Sequence, residues 1–213
     1  DFVPSRGLGD VYKRQALLVE KNTSGLSFGN NEEKMGWKSQ PTAQVIFDDC
    51  HVSSKKLLGE ENKGFIYAMQ GLDGGRLNIA AAALGGAQTA LNIAKRYIKE
   101  RKAFGKSLSE FQGLQFKVAD MEIAINSSRT FLREAAWKLD NAKSDAGVYC
   151  AMAKKFVTDN SFNIANNSLQ LLGGYGYLAD YGIEKIVRDL RVHQILEGTN
   201  EIMQLIVARD SLK

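Results

Sequence analysis

Ser109-Glu-Phe-Gln-Gly-Leu-Gln-Phe-Lys-Val-Ala-Asp-Met-Glu-Ile-Ala-Ile-Asn-Ser-Ser-Arg-Thr-Phe-Leu-Arg-Glu-Ala-Ala-Trp-Lys-Leu-Asp-Asn141 carries the clearest periodicity in the chain. Leu114, Val118, Met121, Ile125, Leu132 and Leu139 step by three, four or seven, which gathers them on one stripe of an α-helix. Lys117, Asp120, Arg133 and Lys138 fall elsewhere, and Ser109 is the expected cap. Working outward, helical segments are expected at about 64–100 and 145–172, the latter with Tyr149, Met152 and Phe156 in the same spacing and Gly173-Gly174 as its stop. Two shorter helices follow near 181–191 and 199–212, separated by Leu196-Glu-Gly-Thr199. The only prolines are Pro4 and Pro41, so nothing breaks helices this long. Between Ala16 and about Gly59 the texture changes to short runs, Ala16–Glu20 and Gln44–Phe47, separated by Thr23-Ser-Gly25 and Gly29-Asn-Asn31, which read as strands and turns. The expected fold is mainly α, an up-and-down four-helix-type bundle over 63–213, preceded by part of a small β-domain over 16–62. Residues 1–15 fit neither texture and read as foreign to the natural protein or disordered.

The 213 residues suffice for one good-sized core, and 44% apolar with 24% charged residues excludes a disordered or collagen-like chain. Twenty-eight basic against twenty-four acidic residues give a net charge of +4, spread along the chain with no concentrated patch for nucleic acid. Cys50 and Cys150 lie far apart, so neither a disulfide framework nor a zinc site is indicated, and buried, inert thiols in a reducing compartment are expected. No apolar run reaches eighteen residues and no secretory signal opens the chain, so neither membrane spanning nor export is expected.

Dinucleotide-binding, P-loop and HExxH motifs are absent, and neither of the two histidines, His51 and His193, stands in a recognisable catalytic setting. Four stretches remain. In Gln194-Ile-Leu-Glu-Gly-Thr-Asn-Glu201 a carboxylate stands between Leu196 and a glycine at a helix break. A carboxylate flanked by apolar side chains loses hydration and becomes a better base. Gly198 admits a ligand to the backbone, and Thr199 is suited to cap the last helix. From these residues alone, a plain helix-to-helix turn with a solvated Glu197 is the commoner reading, because glutamates near turns are common. Arg101-Lys-Ala-Phe-Gly105 reads first as a helix C-cap. Gln170-Leu-Leu-Gly-Gly-Tyr-Gly-Tyr177 exposes backbone amides suited to phosphate oxygens, or makes a tight turn with packed tyrosines. Leu72-Asp-Gly-Gly-Arg76 reads as a kink in a helix.

In this order and spacing the four stretches resemble the C-terminal portion of the flavin-dependent acyl-CoA dehydrogenases. The run from Gln170 through Gly173-Gly174, Gly176, Tyr177, Asp180 and Lys185 to Asp189 follows that family's C-terminal signature. The resemblance covers about Ala16 to Lys213, from within the family's middle β-domain to its C-terminal helical domain, so the chain reads as a fragment. Within the family, Met35-Gly-Trp-Lys-Ser-Gln-Pro-Thr42, Val45-Ile-Phe-Asp-Asp-Cys50 and Val192–Glu201 look most like the isobutyryl-CoA dehydrogenases of valine breakdown.

The resemblance implies Glu197 as general base for the α-proton of an acyl thioester, with Asp73, Arg76 and Gly198 beside the acyl-CoA. Some relatives place the base just before the arginine of the LDxxR stretch, where this chain has Gly75. It implies FAD contacts at Arg101, Phe104, Gln112, Gln170, Leu171, Leu172, Gly173, Gly174, Thr199, Asn200 and Glu201. In the family Gln112 and the Gln170–Gly174 stretch reach FAD held mainly by a neighbouring subunit, which implies a homotetramer built as a dimer of dimers. The implied reaction gives a 2-enoyl-CoA, with electrons passing to electron-transferring flavoprotein, in the mitochondrial matrix of a eukaryote or the cytoplasm of a bacterium. Short-chain or 2-methyl-branched dehydrogenation, an acyl-CoA oxidase and a non-catalytic helical assembly module are the other readings. The 213-residue piece alone is expected to bind FAD weakly or not at all.

Overall fold

The computed structural model describes residues 14–213, so the expectation for residues 1–15 lies outside the described residues except at Arg14 and Gln15. The chain divides into two compact units, residues up to Glu33 with Ser39–Leu72, and Lys34–Lys38 with Asp73–Lys213. In the first, β1 (Ala16–Leu17) pairs antiparallel with β4 (Leu57–Leu58), and β2 (Leu26–Phe28) with β3 (Val45–Phe47), Leu26 opposite Phe47. Gly25, at φ 81, makes the turn into β2, where a Cβ would lie 2.9 Å from the Cys50 backbone. Val45, Ile46 and Phe47 are all exposed.

Helix α1 (Gly64–Glu100) runs unbroken through Leu72-Asp-Gly-Gly-Arg76, where a kink is one sequence reading. The second unit continues with a hairpin of β5 (Lys102–Ala103) and β6 (Lys106–Ser107), then α2 (Gln112–Asp140), α3 (Ala146–Leu172), α4 (Ile183–Arg191) and α5 (Asn200–Ser211). The expected fold class holds. On α2, Met121 and Ile125 are buried, and Leu114, Val118 and Leu132 pack against the same core. The partner face on α1 is built from small residues: Ala80, Ala83, Ala87, Ala90 and Ala94 are fully buried at three- and four-residue steps, with Leu84 and Leu91 between them and Ile98 one turn beyond. Alanine rows let helices approach closely, and each buried leucine or isoleucine contributes about 1.5–3 kcal/mol. Lys95 to Glu122 at 2.6 Å and Arg129 to Gln88 at 2.7 Å tie α1 to α2 at the rim.

Three local expectations are corrected. Ser107, not Ser109, is the capping serine, and it caps the 3-10 turn Leu108–Glu110: its hydroxyl accepts from the Ser109 amide while Glu110 reaches back to the Ser107 amide, and α2 itself, with Phe111 as its N-cap, has no side-chain cap. Gly105 is not a helix C-cap but half of the β5–β6 turn, with Phe104 at φ 51 and Gly105 at φ 80. Cys50 is only half-buried, whereas Cys150 is buried, its thiol pushed up to about 11 by burial with the Asp73 carboxylate adding to the rise. Gly173, at φ 59, ends α3 as expected, and Thr199 caps α5 by accepting from the Ile202 amide at 3.4 Å.

Candidate active site

Between the 3-10 turn Val192–Gln194 and α5 the chain reverses through Glu197 at φ 56 and Gly198 at φ 87. A left-handed conformation at a non-glycine residue costs about 1–2 kcal/mol, so the surroundings must hold Glu197 there. Helix α3 does so. Gln194 Nε2 donates to Asp159 at 2.7 Å, Lys154 Nζ donates to the Gly198 carbonyl at 2.8 Å and to Asn200 Oδ1 at 2.8 Å, and Asn200 Nδ2 donates to Asp159 at 2.7 Å and Thr158 at 3.1 Å. One stretch of α3, Lys154 to Asp159, therefore grips the turn on both sides of Glu197. Burial opposes ionisation of Asp159, but hydrogen bonds from Lys155, Gln194 and Asn200 outweigh it and hold its carboxyl below the usual range. Lys154 is fully buried, and burial pulls its ammonium down to about 8 against the opposing pull of Asp159, Glu197 and Glu201.

The Glu197 carboxylate lies against Gly75 of α1: a Cβ built there would stand 2.9 Å from Glu197 Cδ and closer still to Oε2. No hydrogen bond or ion pair among the described residues engages that carboxylate. One residue on, Arg76 is buried, pairs with Asp73 at 2.6 Å, and leaves its Nε without a hydrogen-bond partner. Asp73, Arg76, Glu197 and Gly198 thus converge. Thr199 and Asn200 sit beside them as cap and anchor, while Glu201 is exposed, its carboxyl held low by its own backbone amide and by Thr199.

The remaining expected residues gather elsewhere. Phe104, 95% exposed, tips the β5–β6 hairpin and meets Phe111 edge-on, next to exposed Gln112 at the start of α2. The Arg101 guanidinium lies 5.6 Å over the Tyr175 ring, just past Gln170–Gly174. Gln170 is exposed, and added Cβ atoms at Gly173 and Gly174 would meet nothing within 4 Å, so this backbone is open. Leu171 and Leu172 are core residues, which leaves only their main chain to face a ligand. Arg76 and Glu100 stand twenty-four positions apart on one helix, roughly 36 Å at its rise per residue.

Sequence reading missed Lys154 and the surroundings of His193. The signal for Lys154 was its phase, four residues from both Cys150 and Thr158 on the buried face of α3, whereas Lys155 turns outward to Asp159. His193 is 3% exposed, meets Trp37 edge-on at 5.1 Å, and has no hydrogen-bond partner at either ring nitrogen. Trp37 belongs to a short docked segment whose amide donates to Asp189, while Arg188 donates to the Met35 carbonyl at 2.8 Å. Burial holds His193 below 6.5, with Asp189 opposing and Lys154 adding. The unfolded chain then takes up a proton at this residue before the folded one does, so stability is lost as pH falls through 6.5. Denaturant unfolding at pH 7.5 and 5.5 should show a larger drop for the wild type than for His193→Phe; equal drops would remove His193 as the cause.

Residues 62–212 match the family described as acyl-CoA dehydrogenase, C-terminal domain. The chain is 52% identical over 197 residues to the mitochondrial isobutyryl-CoA dehydrogenase of Dictyostelium discoideum and 50% identical to that of Bos taurus, each time covering 92% of this chain and 47% of the relative. Among solved structures, the butyryl-CoA dehydrogenase of Megasphaera elsdenii superposes with a TM-score of 0.94 at 37% identity, covering 98% of this chain and 54% of that one. The chain belongs to the acyl-CoA dehydrogenase family, whose members are FAD-dependent oxidoreductases. It spans about half the length of the curated relatives it matches.

Proposed function

We propose that the protein containing this chain dehydrogenates a short branched-chain acyl-CoA, isobutyryl-CoA foremost, to the 2-enoyl-CoA. The observation that carries this reading is the Glu197 carboxylate, without a hydrogen-bonding or ion-paired partner among the described residues and set against Gly75 one residue from an orphaned Arg76 Nε. Glu197 accepts the α-proton. Arg76 and Asp73 bind and orient the thioester ligand, the open Nε supplying a donor that nothing in the fold uses. The backbone at Gly198 approaches the acyl group. FAD, when bound, would supply the redox chemistry for the β-hydride, with electron-transferring flavoprotein as the electron acceptor the reading implies.

The groups at the other end fit that cofactor: the Arg101 guanidinium suits a diphosphate, the Gly173–Gly174 backbone has no side chain and open space beside it for a ligand to approach, and Phe104 offers an exposed aromatic face. Roughly 36 Å of α1 separates this end from Glu197, too far for both clusters to serve one reacting centre within one chain. That distance supports an assembly in which Gln112 and Gln170–Gly174 reach the FAD of a neighbouring subunit, while Thr199, Asn200 and Glu201 stay beside their own; the homotetramer is the form of it that the resemblance implies. Among the described residues no helix is long and apolar enough to cross a membrane. Relatives named as mitochondrial support the mitochondrial setting for a eukaryotic source, and the bacterial cytoplasm is the alternative for a bacterial one.

Anaerobic reduction of the flavin of the full-length protein tests the reading, with isobutyryl-CoA, 2-methylbutyryl-CoA and butyryl-CoA offered in parallel. Fastest bleaching by isobutyryl-CoA is expected. Preference for butyryl-CoA would move the protein within the family, and absence of bleaching by any ester would overturn the dehydrogenase reading.

A further inference from the structure

We propose that Lys154 is the positioning residue of the Glu197 base: its ammonium, shared between the Gly198 carbonyl and Asn200 Oδ1, locks the left-handed turn that aims the carboxylate. The proposal rests on the reading of Glu197 as base.

A lysine in a helix interior normally reaches for solvent, because a buried ammonium without acceptors is costly. Lys154 is fully buried, and both of its hydrogen bonds go to the Gly198–Asn200 segment, one to the Gly198 carbonyl and one to the first residue of α5. The Gly198 carbonyl belongs to the peptide that follows the turn, so fixing it fixes the plane from which Glu197 and Gly198, both at positive φ, depart. Without that grip the turn is free to relax toward the ordinary regions of backbone space. Asn200 joins the clamp and is itself held by Thr158 and Asp159, which makes the anchor rigid. The charges facing Lys154 are Asp159 on its own helix, Glu197 in the turn, Glu201 on α5 and Arg76 on α1. Three carboxylates against one guanidinium favour the ammonium form that the two bonds need. The next residue, Lys155, has an ordinary half-exposed ion pair with Asp159 and takes no part.

The test uses the full-length, FAD-bound protein with Lys154→Met, which keeps the length of the side chain and removes its donors, and Lys154→Gln, which keeps two donors without charge. Three quantities are read: flavin reduction rate per bound flavin, affinity for an unreactive CoA thioester by calorimetry, and thermal midpoint. A base displaced by about an ångström loses rate while ligand binding survives, so Lys154→Met should reduce its flavin roughly 10- to 100-fold more slowly, with thioester affinity within a few-fold of wild type. Lys154→Gln should recover part of the rate. A purely structural lysine would lower the thermal midpoint and leave the rate per bound flavin at the wild-type value, which overturns the proposal. If Lys154→Met does not fold, the rate of Lys154→Gln decides alone, and a wild-type rate there is fatal. Glu197→Gln, run alongside, separates the two layers: its inactivity with fully active Lys154 variants ends only the positioning role, whereas its full activity ends the base assignment and this proposal together.

Discussion

Glu197→Gln in the full-length protein is expected to retain FAD and thioester binding and to lose at least ~100-fold of flavin reduction, the lower range for removal of a general base. A 100-fold loss corresponds to about 2.7 kcal/mol of barrier. The substitution isolates chemistry because, beyond removing one of the three carboxylates that face Lys154, it changes little else. Glutamine has the same length and shape, and Glu197 donates nothing to and accepts nothing from its neighbours that an amide would break. What disappears is the capacity to accept a proton. Asp73 is another carboxylate at this site, but it is engaged by Arg76 at 2.6 Å and would have to give up that pair to act. A variant reducing its flavin at the wild-type rate would therefore place the base outside this turn. Spectra of the purified variant separate a chemical defect from loss of FAD.

The helical part of the fold was legible because the apolar stripe on α2 uses large side chains whose spacing leaves no other period open. The α1 face was less so: five alanines carry the contact, and alanine has no strong preference between core and surface. The misplaced cap has an equally concrete cause. Ser107-Leu-Ser-Glu110 and Ser109-Glu-Phe-Gln112 both spell a capping box, and only the hairpin before them determines which serine meets free amides. At the site, Gln194–Glu201 stood out by its glycine and its helix break. Its two determining contacts were hidden, since Gly75 and Lys154 lie 122 and 43 positions upstream of Glu197 and no local pattern links them. The orphaned nitrogens of His193 were equally hidden, because the tryptophan against that ring comes from a segment 156 residues earlier.

Gly75→Ala should separate stability from catalysis in opposite directions. Alanine is favoured over glycine inside a helix by about 1 kcal/mol, and Gly75 lies in the unbroken stretch of α1, so the thermal midpoint should hold or rise. The new methyl, however, takes the space beside the Glu197 carboxylate, with Cδ only 2.9 Å away. The cheap response is for the end of a flexible side chain to swing aside, which the fold tolerates and a reacting geometry does not. A shift of about an ångström is worth up to ~100-fold in rate. Gly74→Ala supplies the comparison, because a Cβ at that neighbouring position meets nothing within 4 Å and offers the same helical gain. The expected pair of results is a slowed Gly75→Ala and an unaffected Gly74→Ala, both at least as stable as wild type. Equal reduction rates for the two would mean that the contact between Gly75 and Glu197 does not set the position of the base.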